Sequence, residues 1–98
     1  MAEFILSERS KKDLRDIINY TVQTWSETQA VTYYNVLLDA CEFIAERVGT
    51  VGRSYEEIRS GLYGYHTGRH IIFYRILSKD KIRIVRILHD QMDFPQHL

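Results

Sequence analysis

With one cysteine, Cys41, this chain of 98 residues has no internal disulfide, which fits a reducing compartment and sets the expectation of a cytoplasmic protein. The formal net charge is zero, which argues against generic nucleic-acid binding through a uniformly basic surface. No charged-then-apolar segment opens the sequence, and no apolar run approaches the length needed to span a membrane. The histidines at 66, 70, 89 and 97 lack any metal-ligand spacing, and a lone cysteine cannot build a zinc ribbon. Glycines 49, 52, 61, 64 and 68 are too scattered for a phosphate loop. No metal or cofactor is implied. Ninety-eight residues make one domain, spanning 1–98, with a core large enough to fold alone but little area to spare.

The strongest pattern lies late in the chain. Arg69–Leu77 and Lys81–His89 are rich in Ile, Val, Phe and Tyr and are separated by the polar turn Ser78-Lys79-Asp80, the composition of a hairpin of two long strands. Large apolar residues fall on both alternating faces of each run, so this hairpin should meet something on both sides. Upstream, Ala2–Leu6 reads as a short strand, and Ser7 is a natural helix N-cap. Leu14, Ile17, Ile18, Thr21, Val22 and Trp25 then recur at helical spacing. Ser26 with Gln29 fits a capping box for a second helix, whose stripe runs Ala30, Tyr33, Tyr34, Leu37, Leu38, Cys41, Ile44, Ala45, Val48. So short a connection predicts an antiparallel helical hairpin. After a loop over 49–57, residues 58–66 form a weaker β run interrupted by Gly61 and Gly64, suggesting an edge strand or bulge. The polar tail, 90–98, has room for one helical turn. The order is β-α-α-β-β-β: an α+β fold with a helical hairpin packed on one face of a largely antiparallel four-stranded sheet.

Two helices cover only one sheet face. Phe73, Tyr74, Ile84, Val85, Ile87 and Leu88 cannot all face them, so exposed apolar area is expected on the other side, unless the tail or the loop after the second helix folds over it. Charge is also unevenly placed. Arg59, Arg69, Arg75, Lys79, Lys81, Arg83 and Arg86 face one acid, Asp80, whereas the helical part carries more acids than bases. A basic sheet suggests an acidic partner. Arg75, Arg83, Arg86, His89 and Tyr74 are the one constellation with chemical potential, since a metal-free ribonuclease needs a base, an acid and cations for the developing phosphate charge. Strand alternation, however, sends Arg83 and His89 to one face and Arg86 to the other unless a bulge intervenes. Cys41, inside an apolar stripe, reads as a core residue rather than a nucleophile.

Leu6-Ser7, Asp13-Leu14, Ile17, Tyr20, Trp25, Gln29-Ala30, Tyr33, Glu57-Ile58-Arg59, Gly61, Gly68, His70, Ile72-Phe73-Tyr74-Arg75 and above all Ile84-Val85-Arg86-Ile87-Leu88-His89, then Met92-Asp93 and His97-Leu98, occur in an order that resembles the ParE toxins. These form the gyrase-directed branch of the RelE/ParE superfamily of type II toxin–antitoxin systems. The resemblance implies a toxin that poisons DNA gyrase without being an enzyme, with Arg86, His89, Met92 and Asp93 as the best-matched candidates for that action. It also implies neutralisation by a ParD-type antitoxin, whose other end binds operator DNA, so that operator contact reaches the toxin only indirectly. Candidate antitoxin contacts are Trp25 and Tyr34 near the helices, and Arg59, Phe73, Arg75 and Arg83 on or beside the sheet. A second copy of the chain is the other possible cover, giving a homodimer. RelE-type relatives instead cut mRNA on the ribosome, often with a tyrosine near the C-terminus; here no tyrosine follows Tyr74. Gln91 and Gln96 stand where many members carry arginine, which leaves a degenerate toxin that only binds antitoxin as a further alternative.

Overall fold

The computed structural model describes residues 2–98. Strand β1 (Glu3–Leu6) leads through Ser7 into helix α1 (Glu8–Thr24), and Trp25-Ser26 turns the chain into α2 (Glu27–Glu46). Both predicted caps form: the Ser7 hydroxyl accepts from Ser10 N–H, and the Ser26 hydroxyl accepts from Gln29 N–H, each at 3.0 Å. Such a bond satisfies one of the donors that the first helical turn leaves open, about 1 kcal/mol apiece. Four further strands follow, β2 (Arg53–Ser54), β3 (Tyr63–Thr67), β4 (His70–Ser78) and β5 (Lys81–His89), and then the single turn α3 (Phe94–His97).

The sheet has five strands in the order β1-β5-β4-β3-β2, one more than expected. The addition is β2, two residues from the stretch read as loop, paired antiparallel to Tyr63 and Gly64 of β3. Residues 58–62 are not strand. They close a compact loop in which Tyr55 N–H donates to Leu62 O and Arg59 N–H to Tyr55 O. All neighbours are antiparallel except β1, which runs parallel to β5 with Phe4 opposite Ile82. The β3–β4 connection is the two-residue loop Gly68-Arg69, with Gly68 at φ +57°, the sign that a tight hairpin turn requires at its first position.

Two apolar clusters lie on opposite sides of the central hairpin. Leu14, Leu37, Cys41, Ile44 and Ala45 of the helices pack on Ile72, Tyr74, Ile82, Ile84 and Ile87. On the second face, Leu62, Ile71, Phe73 and Leu88 are buried beneath Tyr55, Ile58, Val85, Phe94 and Leu98. The expectation of an exposed apolar patch there is therefore corrected: the loop after β2 and the C-terminal tail fold over it. Tyr55 and Phe94 each meet Phe73 edge-on, with ring centroids 5.1 Å apart in both cases, a favoured aromatic geometry. Gly64 makes room for this cover, since a Cβ there would come within 2.6 Å of the Tyr55 ring. That close approach is why a glycine interrupts the strand.

Candidate functional site

The feature that organises the second sheet face is a bulge in β5. Tyr74 pairs with Ile84 and Phe73 with Arg86, leaving Val85 without an opposite residue. One extra residue reverses the faces from that point on. Ile82 and Ile84 before the bulge and Ile87 after it all enter the helix-side core, whereas Val85 and Leu88 pack on the other side. Arg83 and Arg86, which strict alternation would separate, thus border the same cleft, and His89 goes to the helix side. There its ring meets the cross-strand His70 ring at 5.4 Å, and His70 Nδ1 lies 2.7 Å from the Tyr33 hydroxyl of α2.

The cleft measures about 740 Å³ and lies between the start of α1, the hairpin, the 55–62 loop and the tail. Arg9, Arg59, Arg75, Arg83 and Arg86 line it, together with Val85 and Leu98. Arg75 and Arg83 stand directly opposite each other on β4 and β5, a like-charge arrangement that is unfavourable on its own. Arg75 donates to Ser60 O at 2.7 Å, which ties the loop to the hairpin. Among the described residues, Arg9, Arg59, Arg75 and Arg83 have no carboxylate within ion-pair distance. Arg86 is different. Its Nε and Nη2 grip Asp13 of α1 at 2.8 and 3.0 Å, and Nη1 donates to His97 O at 2.7 Å. The pair is nearly buried, with the Arg86 and Asp13 side chains 12% and 11% exposed, and the hydrogen bonds to Asp13 push the Arg86 pKa further up.

The other gyrase candidates do not converge with Arg86. His89 accepts from Gln91 N–H at 3.1 Å and so holds the turn that leaves β5. Met92 is exposed in that turn. Asp93 occupies the N-cap position of α3, but its side chain makes no capping bond. Of the proposed antitoxin contacts, Arg59, Arg75 and Arg83 meet in the cleft. Trp25, 69% exposed, sits at the tip of the helical hairpin, and Tyr34 lines a separate groove with Leu6, Leu14 and Ile18. Phe73 is fully buried, so its candidacy as a contact residue is corrected: it anchors the tail and loop instead. Ser7, Arg9, Asp13 and Val85 belong to the cleft or its support; the sequence marks Ser7 as a helix cap and Asp13 and Val85 as parts of the family resemblance, but none of the four as a site residue. The available signal was Ser7, because a helix starting there begins beside the end of the strand that β1 accompanies. Cys41 is buried, and desolvation pushes its thiol up to about 12, as suits a core residue. No group of metal-ligating side chains occurs among the described residues, and no helix there is long and apolar enough to cross a membrane.

This architecture has known relatives. Residues 4–94 match the family described as the ParE toxin of type II toxin–antitoxin system, parDE. Toxin ParE1 of Caulobacter vibrioides is 38% identical over 98 residues, covering all of this chain and 99% of that protein. Toxin ParE1 of Mycobacterium tuberculosis is 32% identical over 97 residues, covering 99% of this chain and 98% of the other. A solved structure titled "Chromosomal ParDE TA system from P. aeruginosa" aligns with a TM-score of 0.76 over 91% of this chain and 96% of its own, at 14% identity, a likeness of fold. The chain belongs to the ParE toxin family, the toxin half of type II toxin–antitoxin systems.

Proposed function

We propose that this toxin acts as a protein inhibitor of DNA gyrase and that a ParD-type antitoxin neutralises it. The observation that carries this reading is the match to the ParE family along residues 4–94, with nearly full-length relatives named ParE1. The cleft is consistent with it. A ribonuclease of this fold would need a base and an acid beside the cations, but the Val85 bulge directs His89 away from Arg75 and Arg83. The residues that line the cleft include no tyrosine, and their one histidine is the exposed His97. Translating ribosomes supplied with the purified toxin should therefore yield no codon-registered mRNA cleavage.

For neutralisation, the groove of about 410 Å³ formed by Leu6, Leu14, Ile18 and Tyr34, rimmed by Lys11 and Arg15, suits an amphipathic segment. It offers apolar burial flanked by cations, which an acidic antitoxin segment that orders on binding would use. Pre-incubation with the ParD-type antitoxin should abolish gyrase inhibition, and Tyr34→Asp should weaken that rescue while leaving the inhibition itself in place. Rescue that survives Tyr34→Asp unchanged would place the antitoxin elsewhere.

A further inference from the structure

We infer that His89 is a proton-operated latch on the turn that carries the C-terminal tail: neutral, it holds the turn through Gln91; charged, it releases Gln91 and binds Asp90 instead. The geometry sets the two states against each other at one atom. His89 Nδ1 accepts the Gln91 backbone N–H at 3.1 Å, and the same Nδ1 stands 3.4 Å from Asp90 Oδ1. A ring nitrogen that accepts has no hydrogen of its own, so the neutral ring carries its proton on Nε2. Once protonated, Nδ1 is a donor and can no longer face the Gln91 N–H, while a carboxylate stands in reach for a charge-assisted bond. Asp90 is placed for that second state, because its other oxygen, Oδ2, lies 3.1 Å from His66 Nε2 of β3. The charged state thus joins β3 to the end of β5 through one carboxylate between two imidazoles, and the turn gives up one of its bonds.

The surrounding groups decide which ring switches. His70 stands opposite His89 on β4, with ring centroids 5.4 Å apart, but its Nδ1 is committed. The Tyr33 oxygen of α2 accepts the Arg69 N–H at 3.0 Å, which leaves the phenol hydrogen for His70 Nδ1, 2.7 Å away. A proton on that nitrogen would set donor against donor, and burial, followed by the neighbouring His89, lowers the His70 pKa to about 4. His70 therefore stays neutral over most of the range, between about pH 5 and 8, in which imidazoles as a class change charge. The other charged groups acting on the pair are the carboxylates Asp90 and, from α1, Asp13, with the Arg69 cation beside Tyr33 in the β3–β4 turn. The His89 side chain is 38% exposed, so protons reach it directly from solvent. The consequence is mechanical. Met92 N–H donates to His89 O in the same turn, and the chain beyond it supplies Phe94 and Leu98, which cover Phe73. The latch therefore sits at the hinge of that cover.

The test is NMR of the full chain, labelled with the heavy nitrogen isotope and titrated from about pH 8 to about pH 5. It follows the His89 ring nitrogens and the exchange protection of the Gln91 amide, each rate being referred to an unstructured chain at the same pH. At the upper end the ring should report the Nε2–H tautomer. As the ring becomes charged, Gln91 protection should fall about fivefold, the contribution of one hydrogen bond of ordinary strength, and both changes should share one midpoint. The Ile87 amide, held by Asp13, should stay protected, which separates the switch from unfolding. His89→Gln should leave Gln91 protection independent of pH, whereas His66→Gln should leave the fall in place. Should His89→Gln fail to fold, Asp90→Asn, which removes the charged acceptor, should displace both changes to lower pH together. The inference is overturned by a His89 ring that stays neutral throughout, or by Gln91 protection that holds while the ring becomes charged. A fall that survives in folded His89→Gln, disappears in His66→Gln, or keeps its midpoint in Asp90→Asn overturns it as well.

Discussion

Asp13 of α1 grips Arg86 of β5 through both carboxylate oxygens, and the same Oδ2 accepts the Ile87 backbone N–H at 3.0 Å. The position explains the arrangement. β1 accompanies β5 only as far as Ile84, after which Ser7 takes the chain away, its N–H donating to Ile84 O and its hydroxyl to Val85 O. Beyond that point the outer edge of β5 has no strand partner, and Asp13 accepts the Ile87 donor in place of one. Arg86 in turn fixes His97, so one carboxylate connects helix, strand edge and tail.

Removing that carboxylate leaves a nearly buried guanidinium unpaired. Asp13→Ala should therefore cost about 3–5 kcal/mol, a fall in Tm of roughly 15 °C or more for a domain of this size. Asp13→Asn, which keeps an acceptor for the Ile87 N–H, should lose less. A thermal melt of Asp13→Ala within a few degrees of wild type would show that the pair is dispensable.

Phe73 should behave as a core residue. Phe73→Ala removes a ring buried from both sides by Tyr55 and Phe94 and should destabilise by about 3–5 kcal/mol. The milder Phe73→Leu should remain folded and bind antitoxin with wild-type affinity. Loss of affinity in folded Phe73→Leu, with denaturant stability unchanged, would restore the ring as a contact residue.

His70 makes stability depend on pH. Burial, followed by the neighbouring His89, lowers its pKa to about 4 from 6.5, against smaller upward pulls from Asp90 and Asp13. The folded state thus resists protonating a ring that the unfolded chain protonates below about 6.5. Stability is unaffected by this group above that value and is lost as pH falls from about 6.5 towards 4. Subtracting the His70→Asn pH–stability curve from that of wild type should reveal this slope. A flat difference across the window would mean that His70 titrates normally.

The Cys41 thiol, desolvated among helix-side core residues, should not react with a thiol-specific disulfide reagent at pH 8 until the protein unfolds. Full labelling of the native state within minutes would contradict its burial.

How much of this was legible before the fold was known follows from the range of each signal. Ser7, Ser26 and the two helical stripes are local, and they gave the helical hairpin with both caps. The β4–β5 hairpin was equally plain from its β-branched and aromatic runs. The Val85 bulge was not, because nothing in Ile84-Val85-Arg86 marks it; it follows from pairing with β4 and from Asp13 holding Ile87. That single residue decides which arginines share a cleft, so the cationic residues were found but their grouping was not. The cover over Phe73 depends on Tyr55 and Phe94, about twenty residues away on either side in sequence, which periodicity cannot connect. β2 is two residues long and has no period to read.

The central claim, that this ParE-family toxin inhibits DNA gyrase, is tested most directly by a supercoiling reaction with purified gyrase, relaxed plasmid and the folded toxin in excess. The account predicts that supercoiled product falls while linear, gyrase-cleaved DNA accumulates, and that the ParD-type antitoxin prevents both. Undiminished supercoiling with no linear DNA at saturating toxin would contradict it.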